Sequence, residues 1–375
     1  MTRYETAIPT ANEPAKTDLL LWLVPLILCG LGILMVTSTT SGSVYDASGS
    51  PFAVGIRQFG WLGIGFAMML LMLCIPTRFW RRAAAVLWIF CVALLVLTLI
   101  PGIGQAVGGA RRWLRIAGVS IQTSEIVMFA AVFETEKLFD KHSGDTQRCF
   151  ATVLLLIAIT AALMLMQPDL GSAILLIIIC MGMFIERHGW KFPLGMALLF
   201  VLVIFLLIKI EPYRMRRLNA FLDPYSDPLN SGFQTIQGLI AFANGGIWGS
   251  GLGYGFQKLQ YLPAAYTDFI YAALGEELGL LGTLGILALV ALWMSRCYAV
   301  YRQANNAHEA SLVWGFALTI FAPFFINVGG VTNLIPLTGM PLPFVSYGGS
   351  SLVMSWIRIG ILLRIQRDIA KGSAS

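Results

Sequence analysis

Residues 151–166, ATVLLLIAITAALMLM, and residues 170–185, LGSAILLIIICMGMFI, are two charge-free apolar runs separated only by Gln167-Pro168-Asp169. Each is roughly long enough to cross a bilayer as a helix, which takes about 20 residues. Lipid offers the backbone no hydrogen-bond partners, so uninterrupted runs of this kind mean helices that satisfy their own peptide groups, not a barrel. Pro168 cannot extend the first helix, while Asp169 can cap the second and favour its positive N-terminal dipole. Further runs begin near Leu19, Val54, Ala83, Ile121, Pro193, Phe269, Ser311 and Pro343, which brings the expected number of spans to about ten. Composition agrees. Of 375 residues, 57% are hydrophobic and 12% charged, against about 25% charged in soluble domains, and mean hydropathy is +0.77. The fold class expected is all-α: a polytopic membrane bundle over 19–368, with polar tails at 1–18 and 369–375. The longest polar stretch, 211–267, falls between the seventh and eighth helices. It is too punctuated by Gly and Pro to build a core, and reads as a long loop.

Orientation follows from Lys and Arg, which concentrate in cytoplasmic connectors. Arg78/Arg81/Arg82, Lys137/Lys141/Arg148, Arg187/Lys191, Arg296/Arg302 and Arg364/Arg367/Lys371 all fall on one side if the N-terminus is inside. Both termini are then cytoplasmic and the 211–267 loop is extracytoplasmic. The start of the chain lacks the pattern of a cleaved signal peptide. The six cysteines lie in apolar runs or beside predicted cytoplasmic ends, without a CxxC pair, and the three histidines lie in short connectors. Neither a disulfide framework nor a metal site is expected. The absence of a visible repeat speaks against an inverted-repeat transporter.

Some polar positions are not explained by membrane physics. Arg111, Arg112 and Arg115, then Arg214, Arg216, Arg217 and Lys258, are basic yet outward-facing. They meet either lipid headgroups or an anionic substrate. Glu125, near the start of the fourth span, has no local cation, and carboxylates in spans usually face a bundle interior or water. Glu134 and Lys137 are spaced for a local ion pair. The run Gly249-Ser250-Gly251-Leu252-Gly253-Tyr254-Gly255 lacks the residues of a nucleotide loop, and its glycines let the backbone fold back tightly. Asp268 opens the eighth span, either as an N-cap or as a catalytic carboxylate at the mouth of the bundle. Glu276 and Glu277 lie about two turns deeper, and three carboxylates in so short a stretch exceed what capping requires. Finally, Pro336 to Ser351 is too broken to be helix. Such backbone is tolerated at membrane depth only when packed on protein or lining a cavity.

These residues carry a resemblance. Gly109 to Trp113, Gln122 to Glu125, Gln167 to Gly171, Arg217 to Pro224, Gln257-Lys258, Tyr261 to Pro263, Thr267 to Ile270, Gly275 to Gly279 and Pro341 to Ser351 are similar, in order, to the blocks of the SEDS family of shape, elongation, division and sporulation proteins. The likeness is greater to its FtsW and SpoVE branch than to RodA. The resemblance implies a peptidoglycan glycosyltransferase of the bacterial cytoplasmic membrane that polymerises lipid II. It also implies a class B penicillin-binding protein, the cross-linking transpeptidase, and other division or elongation proteins as partners, with no nucleic acid. The position matching the family's essential carboxylate is Asp268. The substrate-contacting candidates are Arg111, Arg112, Arg217, Lys258, Glu125, Gln122, Ser346 and Tyr347.

The chain also departs from the family. Pro is common where Thr123 stands, His where Tyr266 stands, and Lys where Met128 stands, three residues after Glu125. Glu125 is therefore expected to find another cation, a divalent metal ion among the alternatives, or to be neutral. In the mechanism these residues suggest, Asp268 is general base for the incoming sugar hydroxyl. Arg and Lys groups stabilise the departing diphosphate, where charge builds in the transition state. Two readings compete: a lipid II flippase, which needs a polar path across the bilayer, and a non-catalytic scaffold that recruits the transpeptidase.

Overall fold

The computed structural model describes residues 18–48, 50–107, 110–116, 118–258 and 262–372. The tails at 1–17 and 373–375, with Gly109 and Tyr261 of the motifs above, lie outside the described residues. In chain order the elements are α1 (Leu20–Ser48), α2 (Ala53–Cys74), α3 (Thr77–Leu99), β1 (Gly104–Val107), β2 (Ala110–Ile116), β3 (Val119–Gln122) and α4 (Thr123–Lys141). Then come α5 (Thr146–Met166), α6 (Leu170–His188), α7 (Lys191–Ile210), α8 (Pro212–Leu222), α9 (Phe233–Gly245), α10 (Ile270–Gln303), α11 (Ala307–Val331) and α12 (Gly349–Ala370).

Eight of these helices are long and apolar enough to cross a membrane: α1, α2, α3, α5, α6, α7, α10 and α11. The two further spans expected from the sequence correspond to α4 and α12, which have 19 and 22 residues but carry more charge. Position explains the charge. Most of α12 from Leu352 to Ile369 is buried, and so is much of α4, so neighbouring helices shield their polar groups from lipid. By contrast α3 and α7 present Val86, Ile89, Leu198 and Val201 outward. Lipid tails are as apolar as leucine, so packing and polar ties must hold such a bundle together. Trp293 donates to the carbonyl of Leu21 at 3.0 Å, Trp314 to Gly182 at 3.1 Å, and Gln167 to Leu95 at 3.0 Å. Asp18 donates through its backbone to Gln366 at 3.1 Å, so the two ends of the described chain meet at one end of the bundle.

The other end, the loop end, departs from the sequence reading in two ways. Strands β1, β2 and β3 form a three-stranded antiparallel sheet in that order; short strands in an otherwise apolar chain leave little periodicity to read. The 211–267 stretch holds two helices, α8 and α9, separated by a 3-10 turn at Pro224–Ser226. Pro212 sits at the first position of α8, where its missing N–H costs nothing.

Helix α10 is broken at Gly279, whose φ of 68° and ψ of −166° are not helical. The groups freed by the break are taken up by the glycine-rich loop. Ser250 and Gly251 donate backbone N–H groups to the carbonyls of Glu276 and Glu277 at 2.9 and 3.0 Å, while Leu280 donates to Gly246 at 2.9 Å. The approach is so close that a Cβ on Gly279 would lie 2.3 Å from the nitrogen of Gly249. Below the loop the two glutamates are buried. Glu277 accepts from Lys258 at 2.8 Å, Ser38 at 2.7 Å and the Gly253 amide at 2.9 Å. Glu276 accepts from the Gln257 amide at 3.0 Å and from Asn244 at 3.1 Å. The deeper carboxylates therefore clamp the loop onto α10.

Candidate active site

Asp268 lies in the turn just before α10, partly buried. Its main chain is fixed by Asn327 of α11, whose amide donates to the carbonyls of Asp268 at 2.8 Å and Met340 at 2.7 Å. The turn is also tied to the non-helical stretch that follows α11. Ser346 donates its hydroxyl to Thr267 at 2.6 Å, and the Tyr347 amide donates to Tyr266 at 2.9 Å. Gln58 of α2 in turn holds the Ser346 carbonyl at 3.1 Å. Met340, Leu342, Phe344, Val345 and Ser346 are buried, so this stretch is packed on protein, as broken backbone at such depth must be.

Gly339 is the pivot of the site. Its φ of +73° suits glycine, and a Cβ there would lie 3.3 Å from both Asp268 Oδ2 and Arg217 Nη1. Carboxylate and guanidinium thus converge on one glycine. Arg217, on α8, also donates to the carbonyl of Leu337 at 2.9 Å. Burial pushes the Asp268 carboxyl up to about 6, against the downward pull of the Arg217 and Arg112 cations.

Two open spaces adjoin the Leu337–Gly339 strand. A small cavity of about 40 Å³ is lined by Arg112, Gln122, Glu125, Met128, Asp169, Gly339 and Arg358, among others. Pro323 of α11 is also in its wall and removes the amide that would have closed on the Thr319 carbonyl. A groove of about 550 Å³ lies between α8 and the start of α9, lined by Arg216, Arg217, Asn230, Gln234 and Leu337.

Several residues anticipated from sequence come together here. Arg112 on β2 donates to the Pro168 carbonyl and pairs with Asp169 Oδ1 at 3.7 Å. Asp169 caps α6 as expected, accepting the Ser172 amide at 3.2 Å. Strand β3 leads directly into α4 and places Gln122 and Glu125 on the cavity wall. The cation that Glu125 finds is Arg358, from α12, with Nη2 2.7 Å from Glu125 Oε2.

Other candidates are placed elsewhere. Alternation along β2 turns Arg111 away from Arg112, and Arg111 is exposed. Lys258 is absent from both spaces and is committed to Glu277 and Ser38, with only 8% of its side chain exposed. Ser346 and Tyr347 hold the Asp268 turn instead of lining the cavity. Asn327, Gly339 and Arg358 were not singled out from the sequence. A lone Asn or Arg within an apolar run was the available signal for two of them.

On α4 and α11, next in the helices to the cavity-lining Met128 and Thr319, aromatic rings pack together. Phe129, Phe133 and Phe316 meet with centroids 5.1 to 5.5 Å apart. Beyond them, toward the end where the described termini meet, Glu136 pairs with His308.

Comparison with known proteins agrees with this architecture. A family model for FtsW, RodA and SpoVE, described as "Cell cycle protein", matches residues 18–371. A Geobacter metallireducens protein named "Probable peptidoglycan glycosyltransferase FtsW" is 38% identical over 359 residues, covering 94% of this chain and 96% of the relative. A Coxiella burnetii protein of the same name is 36% identical, with 92% and 95% covered. Among solved structures, a chain from a peptidoglycan synthase complex superposes with TM-score 0.78 at 26% identity, covering 94% of this chain and 98% of the other. The Thermus thermophilus rod shape determining protein RodA superposes with TM-score 0.70 at 23% identity, covering 94% and 97%, a likeness of fold. Matched from Asp18 to Lys371, the chain belongs to the FtsW, RodA and SpoVE family of cell cycle proteins.

Proposed function

We propose that this protein is a peptidoglycan glycosyltransferase that polymerises lipid II at the extracytoplasmic face of the bacterial cytoplasmic membrane, alongside a class B penicillin-binding protein. The observation that carries the reading is the convergence of Asp268 and Arg217 on Gly339, with one open space lined by Gly339 and another by Leu337. Polymerisation brings two lipid-linked sugars together, and the two openings give each of them a direction of approach to the acid.

Asp268 acts as general base. A carboxylate raised to about 6 is still mostly ionised at neutral pH, yet holds a proton better than an ordinary one. It takes the proton of the acceptor sugar's 4-hydroxyl as that oxygen bonds to the anomeric carbon of the donor. The bond from that carbon to the diphosphate breaks, and the electron pair leaves with the diphosphate. Arg217 and Arg112 supply positive charge where this negative charge builds, the arrangement that lowers such a barrier.

A carrier that moves lipid II across the bilayer would need a polar path, and the rings of Phe129, Phe133 and Phe316 occupy the middle of the α4–α11 seam. The test is incubation of the purified chain, alone and with its cross-linking transpeptidase, with lipid II. The expected product is glycan longer than the disaccharide unit from the native protein and none from Asp268→Asn. Polymer at the native rate from that variant removes the general-base role, and vectorial transport without polymer overturns the reading.

A further inference from the structure

We propose that Arg358 is a positioning residue for glycosyl transfer, acting through Glu125 and supplying from α12 a positive charge that α4 does not provide beside that acid. The inference rests on the glycosyl-transfer reading and adds a residue to it. Glu125 and Met128 stand three residues apart on α4 and both line the cavity, the spacing at which a helix could pair its own acid and base. Here the second position is apolar, and Met128 is 2% exposed. The cation arrives instead across the bundle. Arg358 Nη2 donates to Glu125 Oε2 at 2.7 Å and to the Glu125 carbonyl at 3.0 Å, so one guanidinium grips both the side chain and the backbone of the first turn of α4. Its side chain is 4% exposed, and its Nε has no hydrogen-bond partner among the described residues.

A buried donor left without a partner costs free energy, and here it belongs to a side chain that also lines a cavity. The chemistry of the ligand gives the pair its purpose. A diphosphate brought near an uncompensated Glu125 would meet a like charge and be repelled. With Arg358 bonded to it, the carboxylate is held in one orientation and its charge is matched at the cavity wall. The same grip fixes the first turn of α4, directly after Gln122, against α12.

The experiment compares kcat and KM for polymerisation of the lipid-linked disaccharide by the full-length native chain and its variants, each with the cross-linking partner, together with their thermal unfolding. Arg358→Met is expected to lower kcat by about 10- to 100-fold with a smaller change in KM, as misplacement near a reacting centre does. Returning the charge to α4, in Met128→Lys/Arg358→Met, should recover most of the loss. Glu125→Gln/Arg358→Met removes both charges, and should unfold at nearly the native temperature yet remain slow. Native kcat in Arg358→Met overturns the inference, as does native kcat in the doubly neutral variant. So does a relocated charge that folds normally and restores nothing. If the relocated variant melts below the assay temperature, Arg358→Lys replaces it with the same expectation and the same power to refute. A native chain that makes no polymer overturns the glycosyl-transfer reading itself.

Discussion

Asn327 and Asp268 are joined through the main chain: the Asn327 amide donates to the Asp268 carbonyl at 2.8 Å, leaving the carboxylate outside this bond. The same amide holds Met340 at 2.7 Å, so one buried side chain sets the acid and the Gly339 strand relative to each other. Asn327→Leu should lower kcat for polymerisation by about 10- to 100-fold, because the acid drifts from its reacting position. Two carbonyls lose their donor, and each lost buried bond is worth about 1–3 kcal/mol. Steady-state kinetics and a detergent melting curve check both effects.

The pH profile is a second test. Asp268 must be deprotonated to act as base, so kcat/KM should be low in acid, rise as pH passes about 6, and level off above it. Arg217 pulls that value down from where burial alone would set it. Arg217→Gln should therefore move the limb to higher pH as well as lower the plateau. A limb that stays in place in Arg217→Gln would show that the titrating group is not this acid.

Arg112 and Arg111 offer a matched pair of neighbours on one strand. Arg112 lines the cavity and reaches Asp169, whereas Arg111 is exposed on the opposite side. Loss of a cation that faces a developing charge costs about 10²- to 10³-fold in kcat at the strong end, and Arg112→Gln should show a clear fraction of that. Arg111→Gln should stay within about twofold, since exposed charges contribute little. Side-by-side polymer yields at one salt concentration separate them.

Lys258 and Glu277 make a stability prediction. Their side chains are 8% and 1% exposed, and their bond is 2.8 Å. Removing one partner of a buried pair costs about 3–5 kcal/mol, whereas removing both charges costs much less. Glu277→Gln should unfold earlier than the native chain, and Lys258→Met/Glu277→Gln should regain much of the difference. Thermal denaturation followed by circular dichroism reads the series.

The span pattern was legible because apolar runs in lipid have one backbone solution, and the Asp169 cap because its signal is local. The break in α10 was not legible, since Glu276 and Glu277 read as lying about two turns deeper on one continuous helix. Its partner loop was not legible either, because Ser250 and Gly251 close on a helix 26 residues downstream. The ion pair of Glu125 spans 233 residues, and sequence spacing carries no trace of it. Arg358 itself stands out as a single cation within the apolar run 352–363, and the structure was needed to show what it answers. The sheet was hidden for another reason. Its strands are only four to seven residues long, too short for alternation to register.

The interruption at Gly279 divides α10 into a long shaft and a nine-residue cap, and the proposed base stands just above that cap. A continuous helix would have made the acid a fixed ornament of the bilayer-spanning rod. Severed, the cap takes its bearings from the loop that splints it and from the strand that Asn327 secures. On the proposed reading the reactive acid is thus held by the loop and by the segment that Asn327 secures, and not by the packing of the shaft.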